Sequence, residues 1–326
     1  MSEKDKKPKI LVARAIFPDI LEKLQQVADV QSNQEDHLWT PQALKAAIAD
    51  KDAAIVTGAE CIDADVFKSA PHLKIVSNIA VGFNNFDLPA FNAAKVMATN
   101  TPDVLTETTA DFGFALLMAT ARRVTESERW LRAGHWKKFS IFDTPLAMDI
   151  HGSTLGIMGM GRIGQAIAKR ALGFGMKVRY HNRSHLGPEL EKVCGASYVD
   201  RETLLKESDH IILVMPYTPE NHHLFGEMEL SLMKPTATLI NIARGGIVDE
   251  QALAKALRAH RIFAAGLDVF EGEPNIYPEL LTLDNVVLSP HIASATENTR
   301  RAMIELAIRN CLAGLGGQRP PNLLNL

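Results

Sequence analysis

The stretch TLGIMGMGRIG, residues Thr154 to Gly164, decides the fold of this 326-residue chain. It begins as an apolar strand, Thr154–Gly159, and ends by opening a helix, Arg162–Leu172. Gly159 permits a tight turn, Gly161 lets a phosphate approach the backbone, and Gly164 lets the helix pack on the strand. Because a helix N-terminus attracts phosphate groups, the stretch predicts a dinucleotide site. The predicted loop contacts are Gly159, Gly161, Arg162, Ile163 and Gly164.

On both sides of this unit, short strand patterns alternate with helical stretches, which is typical of parallel sheets and predicts the α/β class. Downstream we predict a six-strand set, the size of a complete dinucleotide-binding sheet: Thr154–Gly159, Lys177–Asn182, His210–Met215, Thr238–Ala243, Ala264–Val269 and Val286–Ser289. Upstream we predict a small open sheet: Lys9–Arg14, Asp29–Ser32, Ala53–Gly58, Lys74–Ile79 and Val96–Thr99. A last helix is predicted over Ala295–Gly314.

One long helix is predicted between the two sheets. Thr101 can cap it and Pro102 suits its first turn. The helix is apolar along much of Val104–Ala121 and ends near Ala133, before Gly134. Because it is too apolar for the surface of a monomer, we expect it to pack between domains and to pair with a second copy of the chain in a homodimer.

Composition and charge argue against several function classes. The formal net charge of −3 is spread along the chain and offers no basic footprint for nucleic acid. No stretch approaches the ~18 apolar residues of a membrane span. Cys61, Cys194 and Cys311 are too few and too scattered for a disulfide framework or a paired-thiolate metal site. We therefore expect a cytoplasmic protein that acts on small molecules, with no metal, nucleic-acid or membrane partner.

The choice of cofactor depends on the residues after the second strand of the large sheet. No acidic residue lies between Lys177 and Pro188 to bind the ribose hydroxyls. Asn182, Arg183 and Ser184 occupy that position instead, and an arginine there can pair with a 2′-phosphate. The sequence thus favours NADP(H) over NAD(H), with NAD as the alternative cofactor. A solvated basic turn is the alternative structural interpretation.

Three polar residues follow late strands, at the edge where open α/β sheets bind ligands. Arg244 precedes Gly245-Gly246, Glu273 follows the strand Ala264–Val269, and His291 follows Ser289-Pro290. Taken singly, such an arginine is usually a surface ion-pair residue and such a histidine a loop residue. Taken together, the three offer a carboxylate-binding cation and a proton donor held by a carboxylate.

At this point the chain resembles the D-isomer-specific 2-hydroxyacid dehydrogenase family. The resemblance covers about Ile79 to Thr296 and includes, in family order, the glycine loop, Asn241-Ile242-Ala243-Arg244-Gly245, Asp268-Val269-Phe270 with Glu273-Pro274, and Ser289-Pro290-His291-Ile292. Within the family the chain looks most similar to glyoxylate/hydroxypyruvate reductases and 2-ketogluconate reductases.

The resemblance implies the reduction of a 2-oxo acid to a D-2-hydroxy acid. It implies that His291 gives the proton, that Glu273 orients the ring and favours its charged form, and that Arg244 binds the substrate carboxylate. The backbone amides of Val81 and Gly82 would also bind that carboxylate. Thr109 and Asp268 are implied on the nicotinamide side, and Pro216 and Thr218 on the adenosine side. Ala243 is implied as a further cofactor contact. Pro216 could equally serve only to end its strand.

From these observations we predict two α/β domains with the active site in the cleft between them. A flavodoxin-like substrate domain, residues 1–101 and 293–326, is interrupted by a Rossmann-type domain, residues 102–292. The alternatives are a phosphoglycerate or formate dehydrogenase type, disfavoured by the missing ribose-binding acid, and a non-enzymatic, cofactor-sensing corepressor. The loop Lys138–Met148 shapes either the pocket or a subunit contact.

Overall fold

The computed structural model describes residues 7–142 and 146–325, which fold into two compact units. One unit consists of the described residues up to Leu105 together with those from Thr296 onwards, and the other spans Thr106–Ala295. The predicted domain boundaries lie at residues 101/102 and 292/293, whereas the chain passes between the units after Leu105 and after Ala295.

The helices and strands of the described residues alternate over most of the chain. The strands are β1 Lys9–Val12, β2 Asp29–Ser32, β3 Ala53–Val56, β4 Ile75–Asn78, β5 Met97–Thr99, β6 Thr154–Met158, β7 Lys177–His181, β8 Ala196–Tyr198, β9 His210–Leu213, β10 Thr238–Asn241, β11 Ala264–Leu267 and β12 Val286–Leu288. The helices are α1 Pro18–Val27, α2 Pro41–Ile48, α3 Ala64–Ser69, α4 Leu88–Ala94, α5 Thr106–Ala121, α6 Val124–Arg132, α7 Arg162–Gly173, α8 Pro188–Cys194, α9 Arg201–Glu207, α10 Glu227–Leu232, α11 Glu250–Arg258 and α12 Glu297–Leu315. Among these helices, none combines the length and the apolar character needed to cross a membrane.

The smaller unit is built on a parallel sheet of five strands within the described residues, in the order β2-β1-β3-β4-β5. This order is the flavodoxin-like one, in which Ile10 of β1 pairs with Val30 on one side and Ala53 on the other. Helix α12 packs closely on the sheet, since a Cβ on Gly314 would lie 2.6 Å from Cδ1 of Ile75. The strands predicted for this unit are confirmed, with ends shorter by up to two residues.

The larger unit is built on a parallel sheet of seven strands within the described residues, in the order β12-β11-β10-β9-β6-β7-β8. If β6 is numbered 1 and the following strands are numbered in chain order, β6 to β11 lie in the Rossmann order 3-2-1-4-5-6. The prediction of a six-strand set was wrong by one strand, because β8 pairs with β7 through Val178 and Ala196. β8 is an edge strand with the sequence Ala-Ser-Tyr, which contains no apolar or β-branched run that would indicate a strand.

The single long helix predicted between the sheets is in fact two helices, α5 and α6. Arg123 lies between them in the left-handed conformation, with φ 51°, and its N–H bonds to the carbonyl of Thr120, so α5 ends there. The predicted start was also wrong. Thr101 is buried and does not cap the helix, which begins only at Thr106 after a turn with Asp103 at φ 71°.

Helix α5 is covered within its own unit, contrary to the expectation that it needs a second subunit. A Cβ on Gly113 would lie 2.7 Å from Cδ1 of Ile242, so the helix packs directly on the sheet. The exposed apolar side chains lie instead in α6 and the segment after it: Val124, Leu131, Trp136, Phe139, Ile141, Phe142 and Leu146. Of the predicted loop Lys138–Met148, residues 143–145 lie outside the described residues.

Candidate active site

The glycine loop has the close contacts that its sequence predicts. Gly159 has φ 101°, and a Cβ there would lie 2.7 Å from the backbone nitrogen of Met215. A Cβ on Gly164 would lie 2.3 Å from the carbonyl oxygen of Gly159, so α7 packs tightly against the turn. A Cβ on Gly161, in contrast, would meet no described atom within 4 Å. The loop therefore leaves space beside its central glycine.

This space lies at the N-terminus of α7, whose first residue is Arg162. The N-cap residue is Gly161, and no side chain caps the helix. Free N–H groups and the helix dipole at such an end favour a phosphate group. Ile163 is half-buried behind the loop, while Arg162 is exposed. The residues present thus fit the pyrophosphate of a dinucleotide.

The end of β7 is tied to the glycine loop. The side-chain oxygen of Asn182 accepts a hydrogen bond from the N–H of Met160 at 3.0 Å. Arg183 and Ser184, which follow, are exposed, and His185 stacks on the ring of Tyr198 at 3.7 Å between centroids. In the part of the chain that the structure describes, Arg183 forms no ion pair. Arg183 is thus an exposed cation directly after the residue that is bonded to the loop, and its contact with a cofactor stays a prediction.

The Arg244 segment is held by a buried amide. The side chain of Asn241, at the end of β10, donates to the carbonyl of Arg244 at 2.9 Å and accepts from the N–H of Ala243 at 3.0 Å. The Arg244 guanidinium donates to the carbonyl of Ala243 at 2.7 Å. Burial lowers the pKa of Arg244, against the opposing effect of the negative charge on Glu273. The side chain is thus a partly desolvated cation close enough to Glu273 to interact with it.

The segments that carry Arg244 and Glu273 are in backbone contact. A Cβ on Gly245 would lie 1.8 Å from the carbonyl carbon of Phe270 and 2.1 Å from the nitrogen of Glu271. Neither backbone atom can give way as a flexible side chain can. Gly245 therefore sets the spacing between the two segments.

His291 and Glu273 form a hydrogen-bonded pair. Nδ1 of His291 lies 2.8 Å from Oε2 of Glu273, and Oε1 of Glu273 accepts from the N–H of Phe270 at 2.9 Å. Burial acts to raise the pKa of Glu273, but the hydrogen bonds from His291 and Phe270 and the charges of His291 and Arg244 outweigh it, so the pKa lies below its ordinary value. Since Nδ1 is engaged, Nε2 is the ring nitrogen that can serve a substrate.

Asp268 fixes the loop on which His291 lies. Its buried carboxylate accepts from the hydroxyl of Ser289 at 2.7 Å and from the N–H groups of Ile292 and Ala293 at 2.9 Å each. Its carbonyl accepts from the N–H of His291 at 2.9 Å. Burial raises the pKa of Asp268, although these donors and the charge of His291 oppose the change. The predicted contact of Asp268 with the nicotinamide stays a prediction.

The smaller unit contains the predicted substrate amides. The carbonyl of Val81 accepts from the side chain of Asn100 at 2.8 Å, and that of Gly82 from the side chain of Asn78 at 3.0 Å. Within the described residues, the N–H groups of Val81 and Gly82 donate to no protein acceptor. Two amides free on a loop anchored through its carbonyls suit an anionic ligand.

The remaining predicted cofactor residues lie in the larger unit. Thr109 is buried on α5, and Ala243 is buried at the end of β10. Asn221 shapes the loop after β9, because its side chain donates to the carbonyl of Pro216 and accepts from the N–H of Thr218, each at 2.8 Å. Pro216 itself is exposed. A cofactor contact of each of these residues stays a prediction.

The structure brings the late-strand residues together in one arrangement, in which Glu273 interacts with both His291 and Arg244. Sequence reasoning gave no role to Asn241, Gly245 or Ser289, which hold the segments in place. A polar Asn241 at the end of an apolar strand was the available signal. The close approach of Gly245 to Phe270 and Glu271 had no such signal in the sequence, because these residues lie 25 or more positions from Gly245.

Comparisons with known proteins agree with this geometry. Residues 114–293 match the model of the family described as D-isomer specific 2-hydroxyacid dehydrogenase, NAD binding domain. The glyoxylate reductase of Thermococcus onnurineus is 48% identical over 322 residues, which are 98% of this chain and 96% of the relative. The structure of the TT0316 protein from Thermus thermophilus matches with a TM-score of 0.88 at 42% identity, over 97% of this chain and 99% of that one.

A second solved structure is that of an NADPH-dependent glyoxylate/hydroxypyruvate reductase from Sinorhizobium meliloti, in complex with NADP and malonate. It matches with a TM-score of 0.85 at 35% identity, over 98% of this chain and 97% of that one. The similarity to these relatives therefore extends over both compact units.

Proposed function

The chain belongs to the D-isomer-specific 2-hydroxyacid dehydrogenase family, and from this we propose that it uses a nicotinamide dinucleotide to reduce small 2-oxo acids to D-2-hydroxy acids. The observation that carries the proposal is the His291–Glu273 pair at 2.8 Å, with the cation of Arg244 near enough to act on Glu273. The relatives named glyoxylate reductase and glyoxylate/hydroxypyruvate reductase support glyoxylate and hydroxypyruvate as substrates. 2-Ketogluconate is a third candidate, from the resemblance alone.

The proton comes from His291. A bound nicotinamide supplies the hydride that reaches the carbonyl carbon. As the carbonyl oxygen gains negative charge, Nε2–H of the imidazolium donates its proton to that oxygen, which becomes the hydroxyl of the product. Glu273 accepts from Nδ1 throughout, so it fixes the ring orientation and stabilises the charged ring before transfer.

The substrate carboxylate binds to Arg244. A guanidinium can donate two parallel hydrogen bonds to a carboxylate, and partial burial strengthens that pairing. For the N–H groups of Val81 and Gly82 we propose the same ligand class, because their carbonyls are already occupied. The Arg244 guanidinium and these N–H groups each favour a substrate that has a carboxylate over an aldehyde or a ketone that lacks one.

NADPH is the preferred cofactor in this proposal, and NADH the alternative. Arg183 is exposed beside the glycine loop, and the segment from Lys177 to Pro188 has no acidic residue that would repel a 2′-phosphate. The complex of the Sinorhizobium meliloti enzyme with NADP supports the same choice. We also propose a cytoplasmic location, in which the free thiols of Cys61, Cys194 and Cys311 remain reduced.

Initial rates of NADPH and NADH oxidation with glyoxylate, hydroxypyruvate, 2-ketogluconate and 3-phosphohydroxypyruvate test the proposal. We expect turnover with glyoxylate or hydroxypyruvate, and a loss of ~10²–10⁴-fold in His291→Asn. Asparagine tolerates the left-handed backbone of His291, φ 53°, and His260→Asn is the matched control, since His260 is exposed with φ 49°. Oxidation with none of the acids would favour a cofactor-sensing role, and a preference for the phosphorylated acid would favour the phosphoglycerate type.

A further inference from the structure

Two histidines and a glutamate outside the catalytic pair meet on the surface of the larger unit. Nε2 of His223 lies 2.7 Å from Oε2 of Glu271, and Nε2 of His222 lies 3.8 Å from Oε1 of the same carboxylate. The two imidazoles stack with their centroids 3.9 Å apart. One ligand atom from each of the three residues lies within 4.8 Å of the others. Since His223 and Glu271 are 48 residues apart in sequence, only the fold shows this group.

The side chain of His222 and the backbone at His223 and Glu271 are held in place by their surroundings. Nδ1 of His222 lies 3.2 Å from the hydroxyl of Tyr217, which leaves Nε2 directed at Glu271. The N–H of His223 donates to the carbonyl of Gly246 at 2.8 Å. The N–H of Glu271 donates to the carboxylate of Glu250 at 2.7 Å. A hydrogen bond on the second ring nitrogen is the usual partner of a metal-binding histidine, because it fixes the tautomer.

We propose that His222, His223 and Glu271 bind a divalent transition-metal cation, with Zn²⁺ as the reference ion and water as the fourth ligand. Two imidazole nitrogens and one carboxylate oxygen are ligands that Zn²⁺ accepts. In a tetrahedral site with bonds of about 2.0–2.2 Å, the ligand atoms lie about 3.4 Å apart. Nε2 of His223 and Nε2 of His222 lie 2.7 and 3.8 Å from different oxygens of Glu271, and one ligand atom from each residue lies within 4.8 Å of the others, so side-chain rotations are needed to bring three ligand atoms to this spacing.

The position of the group also favours an ion that exchanges with solvent. The side chains of His222, His223 and Glu271 are 43%, 38% and 43% exposed, so water can reach the metal. The group contains none of the residues proposed for catalysis, although Glu271 is two positions before Glu273. Metal binding here can therefore be measured without substrate or cofactor, and its result does not depend on the proposed reaction.

Titration of the full chain with Zn²⁺ in a calorimeter tests the site. The parent is a Cys61→Ser variant, which removes the exposed thiol as a competing ligand. We expect one equivalent of Zn²⁺ to bind, and His222→Asn, His223→Asn and Glu271→Gln each to weaken binding by at least about tenfold. Asparagine suits position 223 because His223 has φ 52°. Circular dichroism melts check that each variant is folded.

The matched control is His37→Asn. His37 is exposed and its Nε2 lies 2.7 Å from Oε2 of Glu35, but this pair contains only one histidine. We expect the His37→Asn variant to leave Zn²⁺ binding unchanged. In a separate measurement, we expect Co²⁺ bound to the parent to give the intense visible absorption of a tetrahedral site. The inference is overturned if the parent binds no Zn²⁺, or if the His222→Asn/His223→Asn double variant binds it as tightly as the parent. Loss of binding in His291→Asn alone would also overturn it, by placing the ion at the catalytic pair.

Discussion

His291 lies in a backbone conformation that few residues with a β-carbon adopt. Its φ of 53° costs conformational energy, which the surrounding hydrogen bonds offset. The N–H of His291 donates to the carbonyl of Asp268, while the buried Asp268 carboxylate accepts from Ser289, Ile292 and Ala293. Asp268 is thus a positioning residue for the proposed proton donor, in addition to its predicted role toward the cofactor.

At the residue scale, Arg183 provides the sharpest prediction about cofactor choice. Arg183→Ala removes a charge-assisted contact worth about 1.5–3 kcal/mol, so we expect Kd for NADPH to rise roughly ten- to a hundredfold while Kd for NADH changes little. Fluorescence titration of the protein with each cofactor measures both values. Arg179→Ala is a control on the preceding strand, where the guanidinium pairs with Glu207 at 3.1 Å. Equal losses for the two cofactors in Arg183→Ala would refute this assignment.

The sequence predicted individual polar residues better than the contacts between them. Arg244, Glu273 and His291 each follow a strand whose apolar run is visible in the sequence, and parallel strands deliver their ends to one edge. Their spacing was not predictable, because it depends on the backbone contact of Gly245 with Phe270. A glycine after an arginine shows conformational freedom, but it does not show which distant segment approaches it.

At the scale of elements, the strands were predictable and the helix between the sheets was not. Apolar, β-branched runs identify buried parallel strands, whereas β8 lies at the edge of its sheet and its sequence, Ala-Ser-Tyr, contains no such run. The break at Arg123 carries no glycine or proline as a signal. It is accompanied by tertiary contacts, since the guanidinium of Arg123 lies 5.4 Å from the ring centroid of Phe263 and pairs with Glu126 at 2.6 Å.

The contact between the Arg244 segment and the Glu273 segment leads to a second prediction. In Gly245→Ala the new Cβ meets the backbone of Phe270, so the two segments must separate. We expect kcat/KM for 2-oxo acid reduction to fall about 10²-fold and the free energy of unfolding to fall by about 1–3 kcal/mol. Steady-state kinetics and urea unfolding measure these quantities.

Gly246→Ala is the matched control for this prediction. A Cβ on Gly246 would meet the side chains of Tyr217 at 3.1 Å and His222 at 3.3 Å, which can shift more easily than backbone. We therefore expect a smaller loss of activity than in Gly245→Ala. If the two alanine variants lost activity equally, the spacing role of Gly245 would be wrong.

At the scale of the whole molecule, the exposed apolar residues of α6 and the following segment bear on oligomeric state. Phe139 and Phe142 are 86% and 80% exposed, and such a cluster is costly on the surface of a monomer. We predict a homodimer that buries this cluster. Val124 and Leu131 bring part of the stretch Val104–Ala133 into this contact.

Sedimentation velocity over a range of concentrations measures this prediction. We expect twice the mass of the 35.8 kDa chain, and weaker association in a Phe139→Ser/Phe142→Ser double variant. Leu38→Ser is the control, because Leu38 is 72% exposed in the smaller unit. A monomer at every concentration would contradict the prediction.

The central claim is that His291 and Glu273 act as a charged pair that supplies the proton for reduction. The pKa of Glu273 lies below the ordinary value of a glutamate. Its carboxylate is therefore negative at every pH above that ordinary value, and the negative charge stabilises the imidazolium of His291. We therefore expect reduction in the parent to persist to higher pH than in a variant that lacks this negative charge. Glu273→Gln keeps the shape but removes the charge, so the basic limb of the pH profile must move to lower pH.

The pH dependence of kcat/KM for glyoxylate reduction, compared between the parent and Glu273→Gln, tests this claim most directly. We expect the basic limb of the variant to lie lower by up to about one pH unit, since the pair is partly exposed and solvent screens part of the effect. Glu279→Gln, which removes an exposed carboxylate paired with Arg258, is expected to leave the profile in place. A Glu273→Gln profile that coincides with that of the parent would contradict the claim, even if the variant were slower at every pH.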